Sequence, residues 1–189
     1  MQRSWLLEKL EENPIIAAVK DEEGLEACLE CNAWVVFVLY GTVVDIVSIA
    51  KRISDSGKSA IVHIDLIDGL AAREAAVDYI AAATDAVGII STRQSLTKRA
   101  REKGLLAVRR FFLLDSIAMK NLHSQLTQGD MDMIEVLPGV MPKTLRRVAA
   151  QTRVPLIAGG LIADKEDVLN ALSAGAVAVS STNREVWQL

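Results

Sequence analysis

Eight times along the chain, a short run rich in valine and isoleucine ends in a polar or glycine turn and gives way to a longer segment of helical periodicity. Alternation of this kind is what parallel strands joined by crossover helices produce, because each strand is covered on both faces and reads as nearly continuous hydrophobic sequence. The runs are Ile15–Val19, Val35–Tyr40, Ala60–Asp65, Ala86–Ser91, Leu105–Phe112, Met133–Leu137, Val154–Ala158 and Val177–Ser180. Helices fit between them over 21–31, 43–56, 71–83, 93–103, 115–127, 142–152 and 164–174, with a short last one from 183. Asp21, Asp115 and Asp164 stand where helix N-caps fall, and Gly57, Gly104 and Gly175 where C-caps fall.

Closing such a sheet removes its exposed edges, so a compact (β/α)8 TIM-type barrel is the economical α/β solution. The whole chain, 1–189, forms one domain, with 1–13 as a leading helical segment that sets Trp5 and Leu6 against the barrel bottom. Each unit has about 24 residues, short for this fold but enough for a strand, a three-turn helix and two tight loops. An open doubly wound sheet is the alternative. The side chains suit that core: 51% of residues are hydrophobic and only 4% aromatic, a supply of Ala, Val, Ile and Leu rather than of rings.

The net charge of −3 gives no global attraction for nucleic acid or membrane. No apolar run is long enough to span a bilayer and the first residues lack a signal-peptide core, so no membrane role is expected. Cys28 and Cys31 lie on one amphipathic helix with no second such pair, and His63 and His123 are the only histidines. The cysteines therefore read as structural, the composition fits a reducing cytoplasm, and no metal site is expected.

In this architecture ligands bind where strands end and helices begin. Two such ends stand out near the C-terminus: Ala158-Gly159-Gly160-Leu161 after the seventh strand and Ser180-Ser181-Thr182-Asn183 after the eighth. Phosphate needs several N–H donors converging without side chains in the way, and glycines, hydroxyls and a helix N-terminus supply them. A glycine turn beside an ordinary N-cap is the plainer reading of the same residues. On the third strand, period-two alternation puts His63 and Asp65 on one face, where Asp65 would bind ligand hydroxyls, act as a general base or join a salt bridge. Lys20, Arg93, Arg110 and Glu135 fall at or near other strand ends. Of the adjacent Arg109 and Arg110, one faces inward and the other the helices. Cations for a phosphate and carboxylates for hydroxyls together suit a small polyol phosphate, and a buried charge network is the alternative.

A basic segment carries Lys98, Arg99, Arg101 and Lys103, and a second carries Lys143, Arg146, Arg147 and Arg153. These are solvated helix faces or contacts for an anionic polymer such as RNA.

The stretches 63–70, 90–93, 110–116, 134–139, 155–162 and 174–183, in one register and with matching spacings, are similar to those of the glycerol-3-phosphate-responsive antiterminators, bacterial regulators of glycerol uptake and use. The resemblance implies a non-enzymatic β/α barrel that binds glycerol 3-phosphate and then leader mRNA, letting transcription pass a terminator. By position, Gly159, Gly160, Ser181 and Thr182 would hold the phosphate, while Lys20, Asp65, Arg93, Arg110 and Glu135 would line the remaining pocket. Asp68 departs from the uncharged polar residue expected in some members, and the first 13 residues are individual. No cofactor beyond the effector is implied, and a homo-oligomer is compatible with the sequence. The competing expectation is an enzyme on the same pocket, a lyase, isomerase or transferase of a triose or polyol phosphate, with Asp65 or Glu135 as base.

Overall fold

The computed structural model describes residues 2–127 and 129–189, which leaves Met1 of the leading segment outside the described residues. Helix α1 (Gln2–Glu12) comes first, followed by β1 (Ile15–Val19), α2 (Glu22–Leu29), β2 (Val35–Val38), α3 (Ile46–Asp55) and β3 (Ser59–His63). A 3-10 turn (Ile64–Leu66) leads on to α4 (Glu74–Ala83), β4 (Gly88–Ser91), α5 (Gln94–Glu102), β5 (Leu106–Phe112) and α6 (Ser116–Leu126). The remainder is β6 (Met133–Leu137), α7 (Pro142–Ala149), β7 (Leu156–Gly159), α8 (Lys165–Ser173), β8 (Ala178–Ser181) and a 3-10 turn (Val186–Gln188). Every strand pairs in parallel with the next, and β8 returns to β1, so the sheet closes as a (β/α)8 barrel.

Closure divides the core in two. Inward-pointing side chains, among them Ile16, Phe37, Ile61, Ile90, Val108, Met133 and Ile157, fill the barrel, and Leu6 and Leu10 of α1 plug its lower end. Outward-pointing ones, such as Val36, Val62, Ile89, Ile134 and Val179, meet the apolar stripes of the helices. Burial of each large side chain contributes about 1.5–3 kcal/mol, so the tight all-aliphatic interior compensates for the short strands. The three aspartate N-caps form as expected: Asp21, Asp115 and Asp164 accept from the amides of Gly24, Ala118 and Asp167. No helix among the described residues is long and apolar enough to cross a membrane.

Three expectations change. Strand β3 stops at His63, and Asp65 lies in the 3-10 turn, so period-two alternation does not relate the two side chains. The apolar run continues through Ile64, Leu66 and Ile67, and hydrophobicity alone does not mark where extended backbone ends. Trp5 is exposed while Leu6 is buried, because adjacent helical residues face about 100° apart. The last helix is a single 3-10 turn preceded by a turn around Asn183, whose side-chain oxygen accepts from Glu185 N. No helix dipole therefore points at the end of β8.

Candidate ligand site at the ends of strands β5 to β8

The inward parity of β5, β6 and β8 brings Arg110, Glu135 and Ser180 together at the upper end of the barrel interior. Glu135 is completely buried. Its Oε2 accepts from Arg110 Nε at 2.5 Å and its Oε1 from Ser180 Oγ at 2.5 Å. The carboxylate fits because β7 contributes Gly159 beside it: a Cβ there would strike Glu135 Oε1 and lie 2.6 Å from Ser180 Oγ. Gly159 thus makes room for a protein carboxylate, not for a ligand. The other guanidinium nitrogens of Arg110 make no hydrogen bond among the described residues.

Above this group opens a cleft of about 460 Å³, lined by Arg110, Glu135, Gly160, Ser180, Ser181, Thr182 and Asn183. Its two loops are tied to each other. Ser181 Oγ donates to Ile162 O at 2.7 Å, Asn183 Nδ2 to Ala163 O at 2.7 Å, and the indole of buried Trp187 to Ser181 O at 2.7 Å. Gly160 and Leu161 follow one another with φ of +75° and +64°, a conformation that costs a non-glycine residue about 1–2 kcal/mol. Held in this way, the main-chain N–H groups of Leu161, Ile162 and Thr182 donate to no acceptor among the described residues. The N-terminus of α8 is already occupied, since Asp164 caps it and Asp167 accepts from Ala163 N. The donors open to an anion are loop amides, the Thr182 hydroxyl and Arg110, and Ser180 and Ser181 are framework.

The remaining sequence candidates lie on the other side of the mouth. Asp65 accepts from Ser91 Oγ, Thr92 N and Thr92 Oγ1, so it braces the turn after β4. Arg93 Nε stands 3.9 Å from Asp65 Oδ1. His63 is buried with its Nδ1 unpartnered, 4.0 Å from Asp65 Oδ2. Burial, aided by the nearby charge of Arg110, pushes its pKa down to about 4, so the ring is neutral at pH 7. Lys20 is exposed just after β1. None of these four lines the cleft.

The basic segment is largely neutralised in place. Arg99 makes a two-pronged pair with Asp78, Lys103 Nζ lies 3.4 Å from Asp78, and Arg101 Nε lies 3.3 Å from Asp132. Lys98 has no ion pair among the described residues. Cys28 is buried, and burial raises its thiol to about 12, which makes it inert. Residue-type reasoning also missed Ala18, Leu39, Leu137 and Leu161, which give the cleft its apolar walls. Their signal was position alone, at strand ends, with no polar group to mark them. Trp187 carried a weak signal as an isolated aromatic in a polar terminal segment.

A closed parallel barrel with an anion-accepting cleft beside β7 and β8 defines a TIM-type (β/α)8 protein that binds a small phosphorylated ligand as its architecture's usual guest. Residues 15–187 match the model of the family "Glycerol-3-phosphate responsive antiterminator". The chain is 45% identical over 184 residues to protein YgcP of Escherichia coli (strain K12), covering 97% of this chain and 96% of that one. Two solved structures share 31% identity and 93% of this chain. One is the glycerol uptake operon antiterminator regulatory protein of Listeria monocytogenes, with a TM-score of 0.89 over 95% of its length. The other is a glycerol uptake operon antiterminator-related protein of Thermotoga maritima, with a TM-score of 0.80 over 98%. The chain belongs to the glycerol-3-phosphate responsive antiterminator family.

Proposed function

We propose that this protein binds glycerol 3-phosphate in the cleft beside β7 and β8, and in that state binds the leader mRNA of glycerol-utilisation genes so that transcription passes a terminator. The observation that carries the reading is the set of open amides of Leu161, Ile162 and Thr182 facing the same cleft as Arg110. Oriented N–H groups with one cation suit a phosphate dianion. Glu135 sits where a polyol hydroxyl can donate to it, and Leu39, Leu137 and Ala18 cover the carbon chain. Both oxygens of Glu135 already accept charge-assisted or hydroxyl hydrogen bonds, an arrangement that suits holding a ligand better than removing a proton. The reading needs no cofactor and places the protein in the cytoplasm with nascent transcripts.

Ligand can promote RNA binding only by favouring the RNA-competent conformation. Fluorescence anisotropy with the leader RNA, at fixed salt, tests this. Saturating glycerol 3-phosphate is expected to tighten binding at least tenfold while glycerol does not. Equal, salt-sensitive affinity for leader and random RNA with and without the effector would overturn the reading.

A further inference from the structure

Strand β5 presents consecutive arginines to opposite sides of the barrel wall. Arg110 points into the ligand cleft, and Arg109 points outward beneath the helices, where it is 6% exposed. There Arg109 Nη2 donates to Gln125 Oε1 at 2.9 Å and its guanidinium lies over the Phe111 ring, but Nε and Nη1 have no partner. Close by, Asp130 is 7% exposed and neither of its carboxylate oxygens is hydrogen-bonded. Asp130 attracts the Arg109 charge yet makes no ion pair with it within 4 Å. Two complementary buried groups held apart, each short of partners, are costly for a fold to keep without something between them.

Asp130 lines a second cleft, of about 390 Å³, that runs along one side of α5 and is walled by Gln94, Lys98, Arg101, Glu102 and Gly129. Arg101 crosses one end to reach Gly129 O and Asp132, which fixes that wall. Lys98, unpaired, stands at the rim. A guest of this cleft must donate two hydrogen bonds to a carboxylate and accept from a guanidinium. It must also be flat enough to slide beside a helix and carry an anion near Lys98. Among nucleic-acid components guanine meets these demands: its N1–H and N2–H face a carboxylate in pairs, and its O6 and N7 accept from arginine.

We propose that this cleft is a guanine-binding site for single-stranded RNA, with Asp130 reading N1–H and N2–H, Arg109 reading O6 or N7, and Lys98 meeting the adjacent phosphate. The proposal rests on the RNA-binding reading above and gives it a place. It also supplies a physical link to the effector cleft, since a ligand that draws Arg110 inward acts on the residue bonded directly to Arg109. Bidentate base recognition gives discrimination of about tenfold or more.

The test uses the intact protein with glycerol 3-phosphate present and labelled A-rich RNA nonamers that carry one central G, A, inosine or 7-deazaguanine, with GMP and AMP as competitors. The G-containing RNA is expected to bind about tenfold more tightly than the all-A RNA, with inosine and 7-deazaguanine each losing part of the gain. Asp130→Asn, which replaces an acceptor with donors at constant size, is expected to erase the preference for G. A merely structural Asp130 would change thermal stability and leave base preference intact. Effector-dependent leader binding with no G preference overturns the guanine cleft and leaves the antiterminator reading standing. GMP competition that is lost in Asp130→Asn, with no binding of leader RNA, supports the cleft and overturns the antiterminator reading. Equal weak binding of GMP and AMP overturns the cleft.

Discussion

Glu135→Ala is expected to destabilise the barrel by about 3–5 kcal/mol and to lower Tm by roughly 6–20 °C. The wild-type carboxylate is completely buried and is matched on both oxygens, by Arg110 Nε and Ser180 Oγ. Truncation leaves the nearly buried Arg110 guanidinium without a counter-charge and Ser180 without its acceptor, and the cavity beside Gly159 adds to the loss. Breaking such a pair costs much more than never having had it. The double variant Arg110→Met with Glu135→Leu should therefore recover most of the stability while losing the ligand. Urea denaturation of the three variants measures both effects. A loss below about 1 kcal/mol for Glu135→Ala would show that water relaxes into the site and that the pair does not organise the barrel's upper layer.

Gly160→Val is expected to cut affinity for glycerol 3-phosphate at least a hundredfold while the protein stays folded. Gly160 has φ of +75°, and an added Cβ would sit 3.1 Å from Leu137 Cδ2. A β-branched residue is particularly ill suited to that conformation. The next residue, Leu161, is left-handed as well, so relief of strain at Gly160 must swing the amides of Leu161 and Ile162 away from their present direction. The fold should lose only about 1–3 kcal/mol, because the strain is confined to a loop. Gly160→Ala, with one methyl and no branching, should fall between wild type and valine. Calorimetry reads the affinity and circular dichroism the fold. Affinity within threefold of wild type in a folded Gly160→Val would place the ligand elsewhere.

The fold was legible because hydrophobic period and punctuation agree throughout. Eight aliphatic runs became eight strands, and Asp21, Asp115 and Asp164 capped the helices whose starts they mark. Strand ends were less legible. The run through Ile61–Ile67 is apolar past the point where the backbone leaves the sheet, and Asp65 consequently braces Ser91 and Thr92 instead of pointing into the barrel beside His63. At the site, residue type identified the right loops and mixed their roles. Of two adjacent glycines, Gly159 accommodates Glu135 and Gly160 shapes the loop; of two adjacent serines, Ser180 holds Glu135 and Ser181 holds Ile162 O. Such divisions of labour depend on which way each side chain points across the barrel wall, and a one-residue shift of β8 from Val177–Ser180 to Ala178–Ser181 is enough to exchange them. Charge counting likewise showed a basic helix but not its partners, since Asp78 is 21 residues from Arg99 in sequence.

The most direct measurement is a calorimetric titration of the wild-type protein with glycerol 3-phosphate, alongside glycerol and inorganic phosphate. One saturable site for glycerol 3-phosphate, with both fragments at least a hundredfold weaker, is the result expected of a cleft whose loop amides and Arg110 take the phosphate while Glu135 takes the hydroxyls. Heats that do not saturate, or equal affinity for glycerol 3-phosphate and phosphate, would contradict the assignment of that cleft as the sensor of this antiterminator-family protein.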